Sequence, residues 1–267
     1  MCGIAGYSLS TDSAVERTLA AQALLAGIAE RGADAVGYAY RTPGRGDAVV
    51  SKQRTGASEL LERIAVPADA TQLLVHVRDY TKGHPSIAAN NHPVRHGRVV
   101  GIHNGLIVND DEILADYPCA RSEPGMTVDT EAIFALAAHS GGDPRALEQI
   151  KGAMATAWLD EGQPDAIHLA RGMGRPLWIG TARGAVLFAS TEVALEVAER
   201  FAGLALRKQE LKEGTHLLVS GGDVVVRSRF KADLSYVEEN PLPAVRAPRE
   251  AEFCLSRLAA LASAAAA

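Results

Sequence analysis

The chain has 267 residues, 47% of them hydrophobic and 22% charged, which is ample for a core in one large domain or two small ones. Its net charge of −5, with no basic stripe of the kind a phosphate backbone requires, argues against nucleic acid as a partner. No apolar run approaches the roughly 18 residues of a membrane helix, the N-terminus lacks a signal peptide's basic start, and the three cysteines show no CxxC spacing, so a cytoplasmic protein with no membrane contact, no metal and no cofactor is expected.

Residues 3–9 read as a short strand whose glycines permit close backbone approach. Ser13 and Glu16 fit a capping box, followed at helical spacing by Val15, Leu19, Leu24, Leu25 and Ile28. Residues 73–77 and 99–102 read as buried strands, and a helix is predicted after Asp129 through Ile133, Phe134 and Leu136. Asp143 and Pro144 supply a cap and first-turn proline for a further helix carrying Leu147, Ile150 and Met154. From about residue 155 the pattern turns strand-rich: 155–159, 167–170, 177–180, 186–189, 216–219 and 224–229, with Gly221 and Gly222 marking a hairpin between the last two. Strands at both ends with helices between them predict an α+β fold of packed sheets covered by helices, and no glycine-rich nucleotide loop is present. Beyond residue 230, Pro241, Pro243 and Pro248 lead into an alanine-rich stretch that predicts a helix with Leu255, Leu258 and Leu261 on one side. The expected division is a domain over 1–229 and a C-terminal extension over 230–267.

Cys2 follows the initiator methionine directly, and a small second residue permits removal of Met1. The mature chain then carries a thiol and a free α-amine on one residue, so one residue supplies both nucleophile and base. On position alone, a small buried residue at the start of a strand is the better reading of Cys2. The rest of the chain reverses that. Arg31-Gly32-Ala33-Asp34-Ala35-Val36-Gly37, His76-Val77-Arg78-Asp79-Tyr80-Thr81-Lys82-Gly83, Asn90-Asn91-His92-Pro93, His103-Asn104-Gly105 and Asp129-Thr130-Glu131 follow the Met-Cys-Gly-Ile start in order. Each is weak alone. Together, over about residues 2–228, they resemble the glutaminase domain of class II glutamine amidotransferases, the N-terminal-nucleophile group that includes glucosamine-6-phosphate synthase.

The resemblance implies a four-layer αββα sandwich with two packed, mainly antiparallel sheets. It implies Cys2 as nucleophile, with the Asn104 side chain and the Gly105 N–H as donors to the oxyanion. Arg78, Thr81 and Asp129 are then expected to bind substrate: Arg78 at the carboxylate of glutamine through two parallel hydrogen bonds, Thr81 through its hydroxyl, and Asp129 at the ammonium. Each residue also has a plainer role open to it. Arg78 could be half of a structural ion pair, and Asp129 could also cap the helix that follows it. Arg31 and Asp34 are expected to hold the loop beside Cys2, and His92 and His103 to hydrogen-bond within the core. His76, His84, His92, His96 and His103 are five of the eight histidines, yet their spacing matches no zinc site. Cys119 and Cys254 have no activating neighbour in view.

Two departures qualify the resemblance. Asp79 stands where the family usually has an aromatic residue, and Lys82 where it has a histidine, which puts contact with an acceptor domain in question. Residues 230–267 are also too few for the synthase domain to which familiar relatives fuse this one. The expected function is therefore a stand-alone glutaminase subunit that releases glutamate and passes ammonia to a separate synthase. The alternatives are a hydrolase of another γ-glutamyl amide with no acceptor, or a catalytically idle scaffold. Oligomeric state is not legible.

Overall fold

A computed structural model describes residues 1–117, 123–239 and 243–265. Cys119 and Pro241 lie outside the described residues. Within them, one sheet has seven strands: β1 (Gly3–Leu9), β2 (Ala35–Arg41), β3 (Val49–Gln53), β4 (Gln72–Arg78), β9 (Trp178–Ala182), β10 (Ala185–Ala189) and β11 (Arg207–Glu210). The other has six: β5 (Val94–His96), β6 (Val99–Ile107), β7 (Gly152–Asp160), β8 (Ala166–Arg171), β12 (Thr215–Ser220) and β13 (Asp223–Arg229). Their orders are β11-β9-β10-β1-β4-β2-β3 and β13-β12-β8-β7-β6-β5, and neighbouring strands pair antiparallel. The helices are α1 (Arg17–Ile28), α2 (Ala57–Leu61), α3 (Asp110–Asp116), α4 (Glu131–Ser140), α5 (Glu192–Ala202) and α6 (Pro248–Ala265).

Period-two alternation along the strands builds the layers. In β4, Leu73, Val75 and Val77 face a core shared with α1, α2, α5 and α6, while Leu74 faces a second core between the sheets. In β6, Val100 and Ile102 enter that inter-sheet core, and Val99 and Ile107 face a third core with α4. Three stacked cores separate four layers, helix–sheet–sheet–helix, as the resemblance implied. Burial of each large aliphatic side chain contributes about 1.5–3 kcal/mol. The same alternation that seats Leu74 carries on to His76 and Arg78, and that of Ile102 on to Asn104. The polar residues of the site thus occupy positions that continue the inter-sheet face toward one end of the sandwich.

Several local expectations are corrected. Helix α1 begins at Arg17, not after Ser13, because the Glu16 carboxylate caps the N–H groups of Thr18 and Leu19, while Ser13 Oγ only accepts from Val15 N at 3.4 Å. The segment after Asp143 is a 3-10 helix over Pro144–Gln149 rather than an α-helix, its N-terminus held by Asp143 accepting from Arg145 N. The glycine-bounded stretch around Arg31 and Asp34 leads into strand β2 at Ala35. In α6 the buried stripe runs through Cys254 and Leu258, with Leu255 turned 39% exposed, because the helix meets α1 and α2 with the i, i+4 face.

Candidate active site

Cys2 immediately precedes β1, the central strand of the first sheet, and β1 and β4 both lie against β6 of the second. A narrow cleft opens there, lined by Cys2, Arg78, Thr81, His103, Gly105 and Asp129 among others. The fold therefore gathers the nucleophile, an arginine, a carboxylate and a backbone glycine from segments more than a hundred residues apart. A larger cleft of about 660 Å³ lies past the opposite end of β1, around Ser10, Asp12, Arg183 and Asp223, with no cysteine in its lining.

The Cys2 thiol donates to the Asp79 carbonyl at 3.5 Å, and Arg31 Nε donates to the Cys2 carbonyl at 2.9 Å. Burial raises the thiol's pKa; the hydrogen bond to the Asp79 backbone, Arg78 and the N-terminal ammonium pull it back down. The thiol therefore needs a base to ionise near neutral pH. Asp34 braces the adjoining loop from two directions: its N–H donates to Arg78 O at 2.9 Å, and its carboxylate accepts from Tyr80 N at 2.9 Å. Gly32 is required at this junction, since a Cβ there would lie 2.4 Å from the Arg78 carbonyl.

Arg78 is buried and carries its guanidinium on a ring of oxygens. Nη1 donates to Asn91 Oδ1 at 2.6 Å, and Nη2 donates to the carbonyls of Lys82, at 2.9 Å, and Gly83. Three of five N–H donors are thereby used, leaving Nε–H and one Nη1 hydrogen for a ligand. Asn91 is itself fixed by donating to Pro85 O at 2.9 Å. Lys82 closes the loop from its far side, with Nζ 2.8 and 2.6 Å from the two oxygens of buried Asp110.

Asp129 is buried, and its Oδ2 accepts from Ile107 N at 2.7 Å rather than capping α4, whose N-cap is Thr130. The carboxylate turns toward β6, with the Thr130 N–H at the start of α4 also acting on it. Burial pushes its pKa up to about 6, with nearby Asp110 adding to the rise and the Ile107 N–H, the Thr130 N–H and Lys82 opposing it.

Behind the cleft, Thr130 Oγ1 lies 3.0 Å from both His92 Nε2 and His103 Nδ1, and His76 Nε2 lies 3.1 Å from the His103 carbonyl, tying β4 to β6. His76 and His92 stack with ring centroids 4.1 Å apart. Burial lowers the pKa of all three, to about 3 for His76 and His103, so these rings are neutral spacers and supply no cation to the site. His96 pairs with Glu131 at 3.0 Å, and His84 is exposed. Among the described residues no three His, Cys, Asp or Glu side chains group as a metal site.

Asn104 is fully buried on β6, and neither its Oδ1 nor its Nδ2 has a hydrogen-bond partner. An orphaned buried amide of this kind costs about 1–3 kcal/mol and calls for a reason. The next residue, Gly105, has φ +154, and a Cβ there would lie 1.8 Å from Ala153 O. Only glycine permits that backbone path. The amide side chain and the glycine backbone together can receive an oxygen that develops negative charge.

Residues 78–197 match the model of a glutamine amidotransferase domain. The chain is 30% identical over 251 residues to glutamine–fructose-6-phosphate aminotransferase (isomerizing) of Shouchella clausii (strain KSM-K16), covering 88% of this chain and 40% of that protein. The enzyme of the same name from Escherichia coli (strain K12) is 30% identical over 254 residues, with the same coverage. This chain carries a class II glutamine amidotransferase domain. The amidotransferase domain's fold is matched by glutamine phosphoribosylpyrophosphate amidotransferase from B. subtilis, with a TM-score of 0.69, 20% identity and coverage of 87% of this chain and 50% of that one. The chain spans about two fifths of the length of its curated relatives. No helix among the described residues is long and apolar enough to cross a membrane.

Asn91, Thr130, Asp110 and Lys82 complete the site, although residue types alone did not single them out as parts of it. Asn91 and Thr130 sit inside recognisable motifs, next to the residues that drew notice. Asp110 carries no signal at all, since its partner Lys82 is 28 positions away.

Proposed function

We propose that the chain hydrolyses L-glutamine to glutamate and ammonia through a γ-glutamyl thioester on Cys2, and that the ammonia passes to a separate acceptor enzyme. The observation that carries this reading is the convergence of Cys2, Arg78 and Asp129 on one cleft beside the unpartnered Asn104 amide. With Met1 removed, the Cys2 α-amine accepts the thiol proton as sulfur attacks the amide carbon. Asn104 Nδ2 and the Gly105 N–H receive the oxyanion. The proton passes to the leaving nitrogen, ammonia departs, and water hydrolyses the thioester. Arg78 meets the substrate carboxylate with its charge and a single free N–H, because both Nη2 hydrogens are held by the Lys82 and Gly83 carbonyls and the expected pair of parallel hydrogen bonds is not open to it. Asp129 meets the ammonium, and Thr81 adds a hydroxyl at the cleft wall. Arg31, Asp34 and His103 support these groups.

Asp129 must be ionised to meet the ammonium, and its pKa near 6 places that requirement within reach of experiment. The profile of log kcat/KM for glutamine will therefore gain one unit of slope below about pH 6, reporting the free enzyme. A profile with no such break between pH 7 and 5 would remove Asp129 from ammonium binding.

The substrate is tested by comparing glutamine with γ-glutamyl amides of larger amines. Glutamine is expected to have the highest kcat/KM, and its turnover is expected to rise when a cognate synthase and its acceptor are added. A marked preference for a substituted γ-glutamyl amide, unchanged by any synthase, would favour the acceptor-free hydrolase. Absence of turnover on every γ-glutamyl compound would leave the idle scaffold.

A further inference from the structure

The tail of the chain reaches the nucleophile. Arg246 Nε lies 3.3 and 3.2 Å from the two carboxylate oxygens of Asp79, and the N–H groups of Arg246 and Ala247 both donate to Glu30 O at 2.8 Å. These two anchor points are the ones that hold Cys2. Glu30 precedes Arg31, whose Nε grips the Cys2 carbonyl, and Asp79 accepts the Cys2 thiol on its backbone oxygen and the N-terminal ammonium on its carboxylate. Helix α6 fastens the segment behind: Cys254 and Leu258 are buried, and the Glu250 carboxylate accepts from Ser58 N at 2.8 Å and Ser58 Oγ at 3.1 Å.

We propose that Arg246 is a positioning residue of the nucleophile's cradle, neutralising and fixing Asp79 so that its carboxylate holds the α-amino group without suppressing the thiolate on Cys2. This rests on the reading of Cys2 as nucleophile. The charged groups facing Cys2 are Arg31 from the turn after α1, Arg78 and Asp79 from the end of β4, and the N-terminal ammonium. Of these, Asp79 alone opposes ionisation of the thiol. The ammonium on Asp79 belongs to Met1; when Met1 is removed, the α-amine moves one residue along to Cys2, whose thiol already contacts the Asp79 carbonyl at 3.5 Å. A carboxylate there favours the protonated form of both amine and thiol, so leaving it without its arginine raises both. Arg246 is 41% exposed, so water and salt screen its charge, and the effect is expected at the low end of what a neighbouring charge does.

The test is the pH dependence of Cys2 alkylation by iodoacetamide, read on the N-terminal peptide by mass spectrometry, with glutamine kcat/KM measured in parallel on the full chain. Arg246→Gln is expected to move the alkylation midpoint up by about 0.5–1 pH unit, at or below the roughly 1–3 units of a close unscreened charge, because Arg246 is half exposed and acts through Asp79. Asp79→Asn is expected to move it down, the double variant to match Asp79→Asn, and Arg246→Lys to restore most of the wild-type position. An unmoved midpoint in Arg246→Gln, even with lower activity, would mark a merely structural tail and overturn the proposal. So would a shift of the same size in the Asp79→Asn background, since the effect would then not pass through Asp79. Shifts as expected in a protein that turns over no glutamine would uphold Arg246 and defeat the substrate reading instead.

Discussion

Replacing Cys2 with alanine will abolish glutamine turnover and leave the fold in place. The side chain's one hydrogen bond is a long thiol contact of 3.5 Å to the Asp79 carbonyl, so its loss removes little packing. The backbone that positions residue 2 is held independently, by Arg31 on its carbonyl and by β1 pairing with both β10 and β4 immediately after it. Among the described residues no other thiol lines the cleft. Cys254 is buried in α6, where burial pushes its thiol up to about 12, far from the cleft. The expected loss is roughly 10⁴-fold or more in kcat, the scale seen when an activated nucleophile is removed from a hydrolase. Ammonia release and a thermal melt on the same sample decide it. Turnover within tenfold of wild type by a folded Cys2→Ala protein would exclude the thioester. The companion observation is the intact mass, which should lack Met1; a fully active chain that keeps Met1 would exclude the α-amine as base.

Cys2, Arg78, Gly105 and Asp129, which meet in one cleft, were legible as a group because each lies in a short motif. The layers were legible from alternation in β4, β6 and β7, where apolar residues dominate one or both faces. What stayed hidden has physical causes. Strand β2 was masked by Gly32 before it and Gly37 within it, which interrupt the alternation. The start of α1 had two competing acceptors, Ser13 and Glu16, and only the folded backbone chooses between them. The Asp129 contact with Ile107 and the Arg246 contact with Asp79 join residues 22 and 167 positions apart, and no local pattern encodes such pairs.

The division of labour between oxyanion hole and substrate clamp is tested by two substitutions whose effects on stability should have opposite signs. Asn104→Ala is expected to lower kcat by about 10²–10³, equivalent to about 2.7–4 kcal/mol for loss of one such donor, with a modest change in KM. Its amide has no partner in the resting site, so the fold loses no hydrogen bond and sheds a buried polar group. The melting temperature should hold or rise. Arg78→Lys is expected to do the reverse. A lysine ammonium cannot reproduce a planar fork that reaches Asn91 Oδ1 and the Lys82 and Gly83 carbonyls while keeping a donor for a carboxylate. KM for glutamine should rise well above the change in kcat, because the contact lies remote from the scissile amide and serves ground and transition states alike. The melting temperature should fall, by the equivalent of about 1.5–3 kcal/mol for a lost hydrogen bond to a charged group. Steady-state kinetics and melts on the two variants separate these outcomes. If both proteins lost kcat alone and to the same degree, Arg78 would belong to the chemical step, and the clamp would have to be sought elsewhere in the loop.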